Sequence, residues 1–247
     1  MKLLKQIAEH LFYIWFASIV AISFLLIYPI LFITLQKRSW YVYAQIIRRV
    51  WVHVSLFLGG LRVKQIIEQP LSNGPYVITP NHTSKLDMMT LHSKLGIDLI
   101  FMAREDFKNI PLFGYFFKSI DIPVNVSNKT KAAFAYRRAL SELNNGTSIA
   151  IYPEATISRN TPILSPFKQG AFRLAIEAQV DILPVTAIGH WNALSDFKKF
   201  RLLPSSVIQY VHTPISTKGL TLEDTEALKQ KVFGIIASKL DEYGYKQ

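Results

Sequence analysis

From Leu11 to Leu35 the chain reads LFYIWFASIVAISFLLIYPILFITL, 25 consecutive positions without a charged side chain. A helix over that run would be about 37 Å long at ~1.5 Å per residue, against a bilayer hydrocarbon core of ~30 Å. It is long enough to span, or to enter the bilayer deeply and turn near Pro29. A cleaved signal peptide would carry a shorter apolar region and a small-residue cleavage site, and neither is evident. A buried core helix is the other alternative. We read the run as a retained membrane segment.

The 247 residues carry a formal net charge of +11, which requires an acidic partner or surface. Nucleic acid is set aside because no nucleic-acid motif occurs and the apolar run lies beside the charge. Lys2 and Lys5 precede that run, and Lys37, Arg38, Arg48 and Arg49 follow it. Cations at such positions gain about 1 kcal/mol each near anionic headgroups. The expected partner is therefore an anionic phospholipid surface, and the expected location is the cell membrane at its cytoplasmic face. With no cysteine in the chain, disulfides, thiol catalysis and thiolate metal ligation are excluded.

The next segment, WYVYAQIIRRVWVHVSLFLGG, is apolar but carries Gln45, Arg49 and His53 at four-residue spacing, with Arg48 beside them. A helix here has one polar stripe, and Trp40, Ile46, Ile47, Val50, Trp51 and Val54 on the remaining surface. It suits either a helix in the membrane interface or one packed on a soluble domain. Gly59 and Gly60 end it. From Leu61 onward, short β-rich runs alternate with helical stretches. The strand candidates are RVKQII, PYVIT, DLIFMA, DIPVNV, TSIAIYP, DILPVTAIG and SSVIQYVHT. Helical candidates begin at Lys85, Lys129 and Lys168, and a fourth is opened by a capping box from Thr221 to Asp224. The expected fold class is α/β, a mixed sheet flanked by helices, with an N-terminal membrane-binding two-helix segment. The expected division is 1–60 for the membrane helices and 61–247 for a catalytic domain.

The stretch TPNHTSKLD puts His82 and Asp87 at the carboxyl end of a strand, where open α/β sheets bind their ligands. Ser84 and Asp87 also fit a capping box, so Asp87 could simply satisfy the first turn of a helix, a cap worth about 1 kcal/mol. With His82 on the loop before that cap, the chain can instead fold back to bring the carboxylate to the imidazole. Such a dyad would activate a substrate hydroxyl directly, because no G-x-S-x-G elbow presents a serine nucleophile. No H-E-x-x-H zinc motif occurs either, and no metal is expected.

NHTSKLD resembles the N-H-x4-D block of the glycerolipid acyltransferase family, whose best-known members acylate lysophosphatidic acid. AREDFKNIPLFGYFF resembles the second block, a basic residue (Arg104) followed by a Pro-x-x-Gly turn at Pro111 and Gly114. IAIYPEATIS resembles the third block, Pro-Glu-Gly-Thr-Arg, and FKQGAFRLA the Lys-x-Gly helix start after it. DILPVTAIG resembles the fourth. The blocks occur in the family's order between residues 75 and 190. The resemblance implies one-step transfer from an acyl thioester, on coenzyme A or acyl carrier protein, to the free hydroxyl of a lysophospholipid, with no other cofactor. His82 is then the general base and Asp87 its orienter, with Arg104, Gly114, Glu154, Thr156, Arg159 and Lys168 as substrate-binding candidates. Two positions depart from the pattern. Ala155 stands for the glycine, and Ile157 for the arginine thought to hold the acceptor phosphate. An isoleucine forms no charge-assisted bond, so Arg159, Arg104 or Lys168 would have to substitute.

Simpler readings stand beside these. Glu154 could be a loop carboxylate paired with a lysine. His92 is expected on an exposed helix face, and His190 in the core or at its rim. Arg137 and Arg138 are helix-face charges, one of them facing solvent. Lys198, Lys199 and Arg201, interleaved with Phe197 and Phe200, form either a membrane-facing loop or a plain surface turn. Rival functions are the same chemistry on another lysophospholipid or on glycerol 3-phosphate, and a catalytically silent lipid-binding protein.

Overall fold

The computed structural model describes residues 2–72, 74–109, 113–195 and 202–247. Pro111 and the 197–201 loop lie outside these residues. In chain order the elements are α1 (Lys2–Thr34), α2 (Tyr41–Leu58), β1 (Leu61–Ile67), β2 (Val77–Pro80) and α3 (Leu86–Lys94). There follow β3 (Leu99–Arg104), α4 (Phe113–Ser119), β4 (Ile122–Val124), α5 (Lys129–Asn144) and β5 (Ser148–Ala150). The last are α6 (Gly170–Ala178), β6 (Ile182–Ile188), α7 (His190–Ala193), β7 (Ser205–Val211) and α8 (Thr225–Glu242).

All seven strand candidates became strands, in the sheet order β1-β7-β6-β2-β5-β3-β4. The pairs β6–β2, β2–β5, β5–β3 and β3–β4 are parallel, whereas Ile182 bridges Ile215 antiparallel. The sheet is therefore mixed. Residues Val77–Pro80 and Ile182–Ile188 are buried at every position, as expected of strands covered on both faces. Strand β2 lies between β5 and β6 in register Val77–Ile149 and Val77–Ile182. The chain leaving β2 at Asn81 thus emerges at the carboxyl end of the parallel strands. The Thr221–Asp224 capping box forms, with Thr221 N–H donating to Asp224 Oδ2 at 2.7 Å. The short helices α4 and α7 were not foreseen.

Contacts divide the chain into two compact units, one of residues 1–66, 83–96 and 187–209, the other of residues 67–82, 97–186 and 210–247. In the first unit α1 continues through Pro29 as one helix to Thr34, long and apolar enough to cross a membrane. It packs on α2 through polar as well as apolar contacts. Trp51 Nε1 donates to Ser23 Oγ at 3.0 Å, Ser23 Oγ lies 3.2 Å from Ser55 Oγ, and the Trp51 ring meets Phe24 edge-on at 5.3 Å.

Helix α2 is apolar on both faces, with Ala44, Val52 and Leu56 among its buried residues. It buries Gln45, Arg48, Trp51 and Ser55, while Val42, Tyr43, Ile46, Val50, Val54, Phe57 and Leu58 are exposed. Trp51, read above as part of the apolar surface of this helix, is an inward contact to α1. His92 of α3 is buried as well, not exposed as expected. The sequence reading missed it because its polar surroundings come from α2, at Gln45, Arg48 and Arg49 far earlier in the chain. Burial, then the nearby Arg48 and Arg49 guanidinium groups, push the His92 pKa well below the ordinary value, so the imidazole is neutral.

In the second unit, Gly114 of α4 is fixed by packing. A Cβ there would lie 2.2 Å from the Lys108 carbonyl oxygen, so the helix start can approach that backbone only without a side chain. Arg138 is no free surface cation. Its guanidinium donates to the carbonyls of Ser119, Ile120 and Asp121 at 3.3, 2.8 and 3.2 Å, closing the turn between α4 and β4.

Candidate active site

The site is built from the loop that leaves β2. Asn81, His82, Thr83 and Ser84 are all buried although none is in a strand or helix, so their backbone groups need partners from elsewhere. For His82 the partner is Glu154. Its Oε1 accepts the His82 N–H at 2.7 Å, and its Oε2 accepts the Ser165 N–H at 2.8 Å. Glu154 is thus a buried bridge between two loops. The imidazole of His82 lies against the ring of Tyr152, with centroids 4.2 Å apart and planes at 31°. Tyr152 was not among the sequence candidates. Its only signal is its place at the end of β5, two residues before Glu154.

Asp87 lies in the first turn of α3 and is buried. Its Oδ2 accepts the N–H groups of Thr83 at 2.6 Å and Ser84 at 2.9 Å, and its Oδ1 accepts the Thr83 hydroxyl at 3.2 Å. Half of the expected capping box is present. The other half is rerouted, because the Ser84 hydroxyl accepts from Leu86 N–H at 3.2 Å and donates to the Leu194 carbonyl at 2.7 Å. The helix accordingly begins at Leu86, after Ser84. His190 is fully buried with Nε2 3.0 Å from Thr90 Oγ1. Burial lowers its pKa, while the Asp87 charge and a bond to the Ile188 backbone oppose that shift. It is a hydrogen-bonded core histidine.

The remaining candidates lie on the segment after β5 or at the end of β3. Thr156, Arg159 and Lys168 are exposed, and among the described residues the side chains of Arg159 and Lys168 have no hydrogen-bond or ion-pair partner. Arg104 is exposed and paired with Asp106 through Nε at 3.1 Å and Nη2 at 2.6 Å. Ile157 is half-buried.

Ala155 has φ +63°, so the residue standing for the motif glycine keeps the left-handed backbone that glycine adopts freely. For a side chain with Cβ that conformation costs roughly 1–2 kcal/mol, and Ala155 is exposed, with no packing to offset it. Ala155→Gly is expected to stabilise the fold by about 0.5–1 kcal/mol after the greater flexibility of unfolded glycine is subtracted. At this chain length that raises the thermal midpoint by about 1–4 °C. A lower midpoint in the thermal melt would show that the methyl group has an unrecognised stabilising contact.

His82 is thus buried at the carboxyl end of a parallel strand, and Asp87, five residues later, is buried as well. A family model for acyltransferases matches residues 61–188, just over half of the sequence, and the chain belongs to that family. It is 29 % identical over 200 residues to the 1-acyl-sn-glycerol-3-phosphate acyltransferase of Saccharomyces cerevisiae, covering 80 % of this chain and 66 % of that protein. It is 30 % identical over 195 residues to 1-acyl-sn-glycerol-3-phosphate acyltransferase alpha of Homo sapiens, covering 76 % and 66 %. The chain therefore spans slightly under two thirds of the length of these relatives. Its fold is similar to the crystal structure of the 1-acyl-sn-glycerophosphate (LPA) acyltransferase PlsC from Thermotoga maritima. The TM-score is 0.81 at 19 % identity, over 98 % of this chain and 99 % of that one.

Proposed function

We propose that the protein is a membrane-bound acyltransferase that moves a fatty acyl group from a thioester to the free sn-2 hydroxyl of lysophosphatidate, giving phosphatidate. The observation that carries this reading is the buried His82, held through its backbone by Glu154 and backed by Tyr152 at the carboxyl end of β2. The names of the relatives support the same substrate class.

In this mechanism one imidazole nitrogen of His82 takes the proton from the acceptor hydroxyl as its oxygen attacks the thioester carbonyl. The carbon–oxygen bond forms, the carbon–sulfur bond breaks, and the imidazolium returns the proton to the departing thiolate. Asp87 is the carboxylate offered to the other nitrogen. Thr83 and Ser84 donate to this carboxylate through two backbone N–H groups and one hydroxyl, which fix its orientation. The donor is coenzyme A or an acyl carrier protein, and its reactive bond is the same in both.

Membrane association follows from the apolar outer faces of α1 and α2, with Lys37 and Arg38 between them meeting anionic headgroups at the cytoplasmic face. Purified protein in detergent, supplied with a panel of lysophospholipid, glycerol 3-phosphate and monoacylglycerol acceptors and both donors, tests the reading by the lipid formed. Absence of ester product with every pair would leave the lipid-binding alternative.

Ile157 in the phosphate position favours a second reading, in which the acceptor differs from lysophosphatidate. Arg159, two residues on and without a side-chain partner among the described residues, separates the two. A guanidinium can hold phosphate bidentately, and hydrogen bonds to charged groups contribute roughly 1.5–3 kcal/mol. Arg159→Ala is expected to weaken use of lysophosphatidate by about 10- to 150-fold and use of a monoacylglycerol little, with Arg159→Lys rescuing in part. Equal losses on both acceptors would make Arg159 structural. Lys168 would then be the better candidate, because Arg104 is already paired with Asp106.

A further inference from the structure

Residues 153–168 form a closed loop. Its neck is the Lys168 N–H bond to the Pro153 carbonyl at 2.8 Å, followed one step inward by the Glu154–Ser165 bond. Compact surface loops with adjoining ends are frequent carriers of function, and this one carries Thr156, Ile157 and Arg159. Inside it the backbone is partly self-satisfied. Thr161 N–H donates to the Ser158 carbonyl at 3.2 Å, Ile163 N–H to the Asn160 carbonyl at 3.0 Å, and Asn160 N–H to Ser158 Oγ at 3.1 Å.

Two backbone groups of the loop are satisfied from outside by one side chain. Gln247 Oε1 accepts the Leu164 N–H at 2.7 Å, and Gln247 Nε2 donates to the Pro162 carbonyl at 3.3 Å. The same Nε2 donates to the Tyr245 carbonyl at 2.7 Å, which sets the orientation of the amide. Gln247 is itself held in place. After α8 the chain reverses through Gly244 at φ +84°, with Gly244 N–H bonded to the Asp241 carbonyl and Tyr245 N–H to the Leu240 carbonyl, the double bond of a Schellman turn. Asp241 Oδ1 then accepts the Gln247 N–H at 2.9 Å.

We propose that Gln247 is a positioning residue for acceptor recognition, a clasp whose carboxamide fixes the 158–164 segment and with it the Arg159 cation. The inference rests on the acyltransferase reading above. It assigns the reaction a determinant far along the chain from every family block. The neighbouring Glu154–Ser165 bond is separate, so the backbone support of His82 survives loss of the clasp.

Two measurements on the full chain in detergent test this, hydrogen exchange across residues 158–165 and initial rates with lysophosphatidate and monoacylglycerol. A single exposed hydrogen bond is worth a few-fold to about tenfold in an equilibrium. Gln247→Ala should speed exchange at Leu164 by about three- to tenfold and raise KM for lysophosphatidate by a similar factor. The kcat, the donor KM and the monoacylglycerol KM should stay within about twofold. Gln247→Glu keeps the acceptor for Leu164 but loses both donors, and should recover the Leu164 protection with only partial recovery of KM. Asp241→Ala should reproduce the Gln247→Ala effects, and the double variant should be no worse than either, as for two parts of one device.

Unchanged exchange at Leu164 in Gln247→Ala overturns the clasp, and so does a uniform change in every kinetic constant. If the wild-type protein forms no phosphatidate at all, the functional reading falls. The clasp is then decided by the exchange experiment alone.

Discussion

His82→Ala is expected to lower acyl transfer by at least about 10²-fold, the low end of what a general base supplies, in a protein that remains folded. The geometry separates the two effects. Glu154 is bonded to the His82 backbone N–H, so the alanine variant keeps the anchor of the loop. The ring contact with Tyr152 is lost, and aromatic pairs contribute about 0.5–1.5 kcal/mol beyond their area. The midpoint should therefore fall by only a few degrees. Asp87→Asn should cost a similar factor in rate, because an amide can still accept from Thr83 and Ser84 but no longer stabilises an imidazolium. Turnover within about threefold of wild type in a well-folded His82→Ala protein would end the general-base assignment.

The second large effect concerns the outer face of α1. Ile22 and Leu26 are 60 % and 75 % exposed and one helical turn apart, and between them Ser23 and Phe24 make the contacts to α2. Aspartates at 22 and 26 would leave that packing intact and put two charges where we propose hydrocarbon. Each costs about 2.5–3.5 kcal/mol at the centre of a membrane helix. The double variant should therefore lose at least about 10³-fold in partitioning to anionic vesicles, measured by sedimentation at high salt to screen the basic residues. Unchanged sedimentation would show that this face does not meet lipid. Deleting residues 1–60 is the poorer test, because it removes α2 from its packing with α3 and uncovers His92.

The strands were legible because β-rich runs stood between turn residues, and the sheet needed only that periodicity. The His82–Asp87 stretch was legible because residue types and spacing carry the motif. Less accessible was anything decided by backbone hydrogen bonding. Glu154 was read as a substrate-binding residue or a loop carboxylate paired with a lysine, and that its two oxygens hold main-chain N–H groups is a role no residue pattern encodes. Of Arg137 and Arg138 one was read as facing solvent, and Arg137 does; which of the two was not legible, since the three carbonyls Arg138 binds belong to a turn between α4 and β4 that hydropathy does not register. His92 was misplaced because a polar residue on a polar helix face is ordinarily solvated, and here the polar face is covered by another. The left-handed Ala155 was visible only as a departure from the glycine pattern, with no hint that the turn itself had kept its shape.

The apolar outer face of α2, set against polar groups buried on its inner face, changes the usual guide to which substitutions a helix tolerates. At Ile46, Val50, Val54 and Phe57, where we propose lipid, one apolar side chain can stand in for another, because lipid has no shape to match. At Gln45, Arg48 and Ser55 the demand is for a particular polar group in a particular place, and a leucine there would be the disruptive change. A library scored by hydrophobicity alone would therefore misjudge both sets, restricting the permissive outer positions and randomising the exacting polar ones.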